Sequence, residues 1–319
     1  METNYTDTAA SPHIAIMFLR TFAITVCTCL VIGGNIISII VLRRLKTLPD
    51  VTKIFLLSLA LVDLFTGMFN TIFSIIPSIT LSWPYGDAMC KAISLSSSMF
   101  YGISLFSLLA ISVDRYIAIS KPLHYPLVAT RQRAICVVIS TWFVTFVIAV
   151  ASLFYKEGQF AYNPNFCNCI IQWGDPDFKS WNLTVMFAFI LIPSTGMLLL
   201  YTRLFFVSRA HVRRISDTLK SHPGTGISRN DLKALKTMFI ITGAFNIAWL
   251  PFLIAHSYMT ITGKHINNTL EFFIIYLLIL NSWWNVVIYT VTNRTYRQAV
   301  GGIFKSLFPC YFKNRAQAT

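Results

Sequence analysis

The sequence predicts an all-α membrane protein, a bundle of seven transmembrane helices followed by a short amphipathic eighth helix on the cytoplasmic side. Of its 319 residues, 55% are hydrophobic and 12% are charged, and the mean hydropathy of +0.63 is too high for a soluble protein. The chain also contains seven long apolar segments, at about 21–42, 54–80, 92–119, 135–154, 183–207, 237–261 and 270–292.

Each segment, here called spans 1 to 7 in chain order, has the length that a membrane crossing needs. A helix rises about 1.5 Å per residue, so about 20 residues cross a hydrocarbon core of about 30 Å. Every span also carries a polar, aromatic or proline residue within its apolar run: in order Asn35, Asp63, Ser104, Trp142, Pro193, Pro251 and Asn285. The resulting division is an N-terminal segment (1–20), a seven-span domain (21–292) and a helix with a tail (293–319).

The basic residues predict the orientation in the membrane. Lys and Arg cluster between spans 1 and 2, after span 3, between spans 5 and 6, and after span 7, whereas acids predominate in the other loops. The positive-inside rule then places the N-terminus outside the cell and the C-terminus in the cytoplasm, as in a multi-pass plasma-membrane protein. The net charge of +14 therefore reflects topology and does not indicate a nucleic-acid surface. Asn4 becomes a glycosylation candidate and Cys310 a palmitoylation candidate.

Asp63 is the most informative charge because it lies in the middle of span 2. A carboxylate in the membrane is costly and indicates a functional site. Its candidate partners are all uncharged: Asn35, Ser104, Asn281, Ser282 and Asn285. This oxygen-rich set suits Na⁺ better than a transition metal. The alternative is a protonated aspartate in a hydrogen bond between helices, and no cofactor other than this ion is expected.

Short motifs occur in every span and resemble those of the rhodopsin-like G-protein-coupled receptors. They are Gly33-Gly34-Asn35, Leu59-Ala60-Leu61-Val62-Asp63, Asp114-Arg115-Tyr116, Trp142, Pro193 with Tyr201, Phe245 to Pro251, and Asn285-Val286-Val287-Ile288-Tyr289. The resemblance covers about residues 20–310 in the family's order. Two departures are the missing proline in the last motif and Ala248 in place of a common cysteine.

The resemblance implies roles for particular residues. It implies a sodium pocket formed by Asp63, Ser104, Trp249, Asn281 and Asn285. It also implies a packing switch of Leu105, Pro193 and Phe245 beneath the ligand and a rotamer switch at Trp249. At the cytoplasmic side it implies a coupling and switch set of Asp114, Arg115, Tyr116, Tyr201 and Tyr289. Asp231 would hold Arg115 in the closed state, and Leu123 would insert into a heterotrimeric G protein. Arrestin and membrane lipid are further expected partners.

The cysteines predict one extracellular disulfide bond. Cys90 begins span 3, and both Cys167 and Cys169 lie in the loop between spans 4 and 5, so the residues alone leave the partner open. The family resemblance slightly favours Cys169.

Helical spacing places Ser97, Ser104 and Arg115 on one stripe of span 3, because 18 residues make five turns. Together with the resemblance, this stripe predicts an outer ligand site, an ion site and a cytoplasmic mouth along one helix. Ser94 and Ser96 are expected only to pack against neighbouring helices.

The ligand is predicted to be neutral or amphipathic. The chain is similar to the amine, melatonin and adenosine branches, but serine occupies position 97, where amine receptors have an aspartate. The other candidate ligand residues are Ser98, Tyr101, Phe189, Trp249, Phe252, His256, Glu271 and Ile275. Glu271 leaves open a cation held at the rim, from an amine or a short peptide, and His256 is equally consistent with a structural role.

Other functional classes have less support. A transporter would show repeated halves or several ionisable groups along a path, and only Asp63 lies in mid-membrane. No metal-binding or Ser-His-Asp pattern indicates an enzyme. A non-signalling decoy receptor is the remaining alternative, although such a protein would more readily have lost Arg115 or Tyr289. The sequence therefore predicts a receptor that transmits binding of an extracellular small molecule to a G protein.

Overall fold

The structure, a computed structural model, describes residues 14–46, 48–155, 160–172, 175–218 and 229–307. Its α-helices are α1 Ile14–Arg44, α2 Asp50–Thr66, α3 Ile75–Thr80, α4 Gly86–Ser120, α5 Tyr125–Val128, α6 Arg131–Leu153, α7 Lys179–Val185, α8 Ile192–Thr218, α9 Arg229–Thr262, α10 Asn268–Thr292 and α11 Arg294–Leu307. Strands β1 Phe160–Asn163 and β2 Asn168–Ile171 form one antiparallel hairpin between spans 4 and 5.

The seven predicted spans are confirmed as helical segments long and apolar enough to cross a membrane. They run over Ile16–Arg44, Asp50–Thr80, Gly86–Ser120, Arg131–Leu153, Pro176–Leu204, Gly243–Thr262 and Asn268–Thr292. Span 3 lies at the centre, because α4 packs against α2, α6 and α8 and also contacts α9 and the hairpin. Apolar side chains such as Ile139 and Phe143 are exposed on the outside of α6, as a lipid-facing surface requires.

Spans 2 and 5 depart from regular α-helix in the halves nearest the hairpin, at the end of the bundle that is predicted to face outwards and is called the outer end. A π-helical turn occupies Gly67–Thr71 in span 2, followed by a 3₁₀ turn at Ile72–Ser74, and a second π-helical turn occupies Met186–Leu191 in span 5. A π turn holds more residues than an α turn, so the side chains beyond it face a different direction from that predicted by a period of 3.6. In span 2, Asn70 and Ser74 still lie on the face that a period of 3.6 residues from Asp63 predicts, and each is 1% exposed.

The hairpin covers the outer end of the bundle and is tied to span 3 by a disulfide bond. Cys90 pairs with Cys169, with a Cα–Cα distance of 5.2 Å, which confirms the favoured pairing. Cys169 lies on β2 opposite Tyr162. Cys167 lies in the turn before β2 and stays a buried thiol, its Sγ 3.7 Å from the Pro164 carbonyl oxygen. Strand pairing therefore decides which cysteine reaches Cys90.

Helix α11 follows span 7 and packs against α1 and α10. It has two faces, since Tyr296 and Ile303 are buried whereas Arg297 and Lys305 are exposed. Its place at the cytoplasmic membrane surface stays a prediction. Asn4, Cys310 and the side chain of Asp231 lie outside the part of the chain that is described.

Candidate functional site

Two small adjoining cavities lie beneath the hairpin, in the outer half of the bundle. The major cavity, of about 100 Å³, lies among spans 3, 4, 5 and 6 and is lined by Leu105, Thr145, Phe189, Trp249 and others. The minor cavity, of about 70 Å³, lies among spans 2, 3 and 7 and β2, and its lining includes Ser94, Asn168, Ile275 and Tyr276. Four residues line both cavities: Ser98, Tyr101, Ile171 and Phe252.

The structure brings seven of the nine predicted ligand residues into these linings: Ser97, Ser98, Tyr101, Phe189, Trp249, Phe252 and Ile275. Aromatic contacts organise the floor of the major cavity. The Trp249 ring centroid lies 6.0 Å from that of Tyr101 and 5.8 Å from that of Phe252. Among the described lining residues none is charged, so the cavities form a mainly apolar, neutral site.

His256 and Glu271 do not line either cavity, which differs from the prediction. His256 is fully buried, and its ring centroid lies 4.2 Å from that of Phe252. Glu271 is 1% exposed, and its Oε2 accepts a hydrogen bond of 2.9 Å from Asn165 Nδ2 in the hairpin turn. The first turn of α10 directs this carboxylate towards the turn, where an amide donor compensates part of its lost hydration. It is therefore not at an open rim where a ligand cation would meet it.

Asp63 forms the predicted polar site in the middle of the bundle. It is 1% exposed, Ser104 Oγ donates to its Oδ1 at 2.8 Å, and Asn285 Nδ2 donates to its Oδ2 at 3.1 Å. Asn35 takes another partner, since its Nδ2 donates to the Ser282 carbonyl oxygen at 3.1 Å. Asn281 is also buried on span 7. These bonds satisfy the carboxylate from two neighbouring helices.

The donor atoms at Asp63 fit a sodium ion in part. The carboxylate and the Ser104 hydroxyl are hard oxygen ligands, as Na⁺ prefers. The Asn285 amide presents its NH₂ group to Asp63, so it would have to present its oxygen instead to join an ion. Within the described ranges no three His, Cys, Asp or Glu side chains cluster in the way that a transition-metal site needs. Asp63 with neutral oxygen donors is therefore the set that could hold a cation.

At the inner end of span 3, Arg115 is paired with Asp114, and this pairing with its neighbours is called the closed arrangement. Arg115 Nη2 lies 2.6 Å from Asp114 Oδ2, and its Nε donates to the same oxygen at 3.1 Å. Thr52 Oγ1 donates to that oxygen at 2.7 Å and also accepts from Arg115 Nη2. Tyr125, in the loop after span 3, donates from its hydroxyl to Asp114 Oδ1 at 2.8 Å. Three residues from three helices, Thr52, Asp114 and Tyr125, thus hold the guanidinium by hydrogen bonds.

Tyr125 is suited to this donor role because its hydroxyl keeps its proton. Burial, together with the negative charge of Asp114, raises the pKa of Tyr125 to about 12. The neutral phenol therefore donates to Asp114 throughout the physiological pH range. The loop after span 3 is in this way coupled to the ion pair.

The other predicted switch residues lie along the core between the two ends. Ser112 Oγ donates to the Tyr201 hydroxyl at 3.2 Å, and the Tyr289 ring lies 5.8 Å from that of Tyr296. Phe245 stacks on Trp249 with 5.3 Å between ring centroids. Tyr116 is half-buried, and Leu123 is 88% exposed and so accessible to a partner. No described contact tests their switching roles, which stay predictions.

Four residues at these sites escape the sequence patterns: Thr52, Ser94, Tyr125 and Asn165. Thr52 and Tyr125 lie at loop boundaries, and only the packing of α2 and α5 against span 3 brings them to Asp114. Ser94, expected only to pack, lines the minor cavity. The polarity of Ser94 in an apolar span was a usable signal, but its direction depended on the neighbouring helices.

The chain thus folds as a seven-span membrane bundle with an outer cavity and a closed ion-pair arrangement at its inner end. It belongs to the 7 transmembrane receptor (rhodopsin family), whose sequence model matches residues 34–289. Members of this family are receptors coupled to G proteins and are not enzymes, and seven spans imply a membrane location.

Several relatives in this family match most of the chain. The octopamine receptor beta-1R of Drosophila melanogaster is 28% identical over 96% of this chain, which spans 65% of that receptor's length. The histamine H2 receptor of Homo sapiens is 29% identical over 95% of this chain and 80% of its own length. The human trace amine-associated receptor 9 is 29% identical over 84% of this chain and 79% of its own length.

Squid rhodopsin is similar in fold. It superposes with a TM-score of 0.78 over 93% of this chain and 87% of its own, at 20% sequence identity. At that identity the likeness concerns the backbone alone and carries no information about the ligand.

Proposed function

We propose that this protein is a plasma-membrane receptor, with its N-terminus outside, that transmits binding of an extracellular small molecule to a heterotrimeric G protein. The observation that carries the proposal is the closed arrangement around Arg115, held by Asp114, Thr52 and Tyr125, on the same helix that lines the outer cavity. A ligand that favours release of this arrangement opens the cytoplasmic face, which the G protein also favours. Arrestin and membrane lipid are further proposed partners.

The proposed ligand is neutral or amphipathic. The described lining residues are uncharged, and Ser97 gives no counter-ion for an ammonium group. Burying an ammonium group without a partner of opposite charge costs on the order of several kcal/mol. The neutral aromatic lining therefore favours a ligand that has no permanent charge in the cavity.

A second candidate is a receptor for an amine, and the names of the octopamine, histamine H2 and trace amine-associated relatives favour it. In that receptor Glu271 would serve as the counter-ion of the ligand's ammonium group. To serve, it would have to exchange its Asn165 hydrogen bond for the ligand cation. Ligand screens on wild type and Glu271→Gln separate the two candidates, because only an amine anchored there loses affinity.

We also propose that Na⁺ at Asp63 and Ser104 stabilises the closed state. The carboxylate and hydroxyl are already within 2.8 Å of each other on spans 2 and 3. An ion that binds the closed bundle better than the open one shifts the population towards closed.

The experiment that tests the signalling proposal measures nucleotide exchange on a promiscuous G protein in membranes containing the receptor. Wild type is compared with Arg115→Ala and with the control Arg131→Ala, which removes an exposed arginine from the same side. Receptor-dependent exchange that is lost in Arg115→Ala and kept in Arg131→Ala supports the proposal. Equal exchange by all three proteins contradicts it and favours a non-signalling receptor.

A further inference from the structure

The minor cavity contains a buried hydroxyl with no partner. Ser94 is 1% exposed, its Oγ has no hydrogen-bond partner among the described residues, and it belongs to the cavity lining. A buried polar atom without a partner is unfavourable, whereas a hydrogen bond to it recovers the lost solvation. This hydroxyl is therefore available to a group that enters the cavity.

The neighbouring side chains add acceptors and a donor around the same space. Ser97 Oγ donates to the Ile93 carbonyl oxygen at 2.8 Å, and Ser98 Oγ donates to the Ser94 carbonyl oxygen at 3.0 Å. Each oxygen keeps lone pairs that can accept a hydrogen bond. Asn168 uses its Nδ2 in one long bond of 3.4 Å to the Asn70 carbonyl oxygen, which leaves a second N–H. The cavity wall thus offers both donors and acceptors.

The two cavities differ in chemistry although they adjoin. The major cavity is lined mostly by apolar and aromatic side chains, among them Phe189, Trp249 and Phe252. Ser94 and Ser97, which carry hydroxyls, and Asn168, which carries an amide, line only the minor cavity. Since Ser98 and Tyr101 line both, one molecule can extend from one cavity into the other.

We propose that the minor cavity is the polar subsite of the ligand site, and that it takes a neutral hydroxyl or carboxamide end of the ligand. The apolar or aromatic end of the same molecule then lies in the major cavity. This inference rests on the proposed receptor function and specifies the chemistry and the direction of the ligand. Ser94 is the specificity-determining residue, because its hydroxyl both donates to and accepts from such a group.

Size and charge agree with this assignment. One water needs about 10–15 Å³ of such space, so a cavity of about 70 Å³ holds a polar group of several heavy atoms. An ammonium would find acceptors here but no described carboxylate in either lining, and so would lose hydration without gaining an ion pair. A neutral group forms the same hydrogen bonds without that loss.

Two probes with the same phenethyl skeleton test the proposal: 2-phenylethanol, which is neutral, and 2-phenylethylammonium. Apparent dissociation constants come from the thermal unfolding midpoint of the purified full chain in lipid nanodiscs, titrated with each probe. In wild type we expect the alcohol to bind at least about tenfold more tightly than the ammonium. Ser94→Ala should weaken the alcohol by about fivefold, the effect of one neutral hydrogen bond.

Ser107→Ala is the matched control, since Ser107 is buried on the same helix outside both linings. It should leave the affinity for the alcohol unchanged. A loss of affinity in Ser94→Ala but not in Ser107→Ala excludes an effect of alcohol dissolved in the lipid, because that effect would be the same in both variants. Ser94→Ala itself removes an unpartnered buried hydroxyl, so we expect it to fold normally.

Three results would overturn the proposal: tighter binding of the ammonium, equal affinity of wild type and Ser94→Ala for the alcohol, or no stabilisation by the alcohol up to its solubility. None of these measurements involves a G protein. Failure of the subsite and failure of the signalling proposal are therefore distinguishable, because the latter appears only as equal nucleotide exchange by wild type, Arg115→Ala and Arg131→Ala.

Discussion

Asp114→Asn should raise signalling in the absence of ligand, because Asp114 holds Arg115 in the closed arrangement. The carboxylate Oδ2 accepts from Arg115 at 2.6 Å and from Thr52 at 2.7 Å, and Oδ1 accepts from Tyr125 at 2.8 Å. Asparagine keeps one oxygen acceptor but loses the charge and replaces the other oxygen with a donor. The open state, in which Arg115 extends into the cytoplasmic opening, is then favoured more than in wild type.

The size of the effect follows from the exposure of the pair. The Asp114 side chain is 2% exposed and that of Arg115 is 11% exposed, so solvent screens the interaction less than at an open surface. A charge-assisted hydrogen bond contributes about 1.5–3 kcal/mol, and the remaining amide contact retains part of it. A net loss of about 1–2 kcal/mol from the closed state raises the ratio of open to closed receptor about 5- to 30-fold.

The assay is basal nucleotide exchange on a promiscuous G protein, normalised to the amount of receptor in the membrane. Asp50→Asn is the control, because it removes an exposed carboxylate near the same end of the bundle. We expect a clear rise for Asp114→Asn and none for Asp50→Asn. Basal exchange within twofold of wild type for Asp114→Asn, or an equal rise in both variants, would refute the role assigned to this pair.

Three further predictions concern sodium, the hairpin turn and pH. If Asp63 holds Na⁺, sodium chloride but not choline chloride should raise the thermal unfolding midpoint by a few degrees. A Na⁺ concentration of ten times Kd corresponds to a stabilisation of about 1.4 kcal/mol, and Asp63→Asn should remove the difference between the two salts. Asn165→Ala breaks the bond to Glu271, so a membrane-impermeant maleimide should label Cys167 several-fold faster than in wild type. Wild type should label slowly because burial raises the pKa of Cys167 to about 11, and an equal rate in both proteins would show that this bond does not hold the hairpin turn in place. The folded-state pKa of Tyr125 is raised to about 12, so its bond to Asp114 is fully present below the ordinary tyrosine pKa of about 10 and is lost only as pH rises through about 12. The ratio of basal exchange between Tyr125→Phe and wild type should therefore be constant from about pH 6 to 9.

The candidate sodium site was predictable from the sequence because its central residue, Asp63, is an acid whereas the residues around it in span 2 are apolar. A carboxylate in the middle of an apolar span has no solvent to stabilise it, so it predicts nearby polar partners. Ser104 and Asn285 proved to contact it, but Asn35 bonded to the Ser282 backbone instead. Composition therefore indicated the set of partners, and the packing of spans 1, 2, 3 and 7 selected among its members.

At the outer end of the bundle, the direction in which a side chain points was less predictable than its position along the chain. A period of 3.6 residues predicts which way a side chain points only while the helix stays α-helical, and the π turn at Met186–Leu191 interrupts span 5 where it lines the major cavity. Glu271 was expected to face a ligand at the rim, but it faces Asn165, because a buried carboxylate is directed to its best donor. Neither effect leaves a repeating signal in the sequence.

The sequence by itself determined the seven spans, their polar interruptions and the motifs of the receptor family, because each depends on residue type and on distance along one chain. Only the tertiary structure decided that Cys169 pairs with Cys90, that Thr52 and Tyr125 reach Asp114, and that Ser94 faces a cavity. These contacts join elements far apart in sequence. They depend on helix rotation and strand pairing, which are set by the packing of the whole bundle.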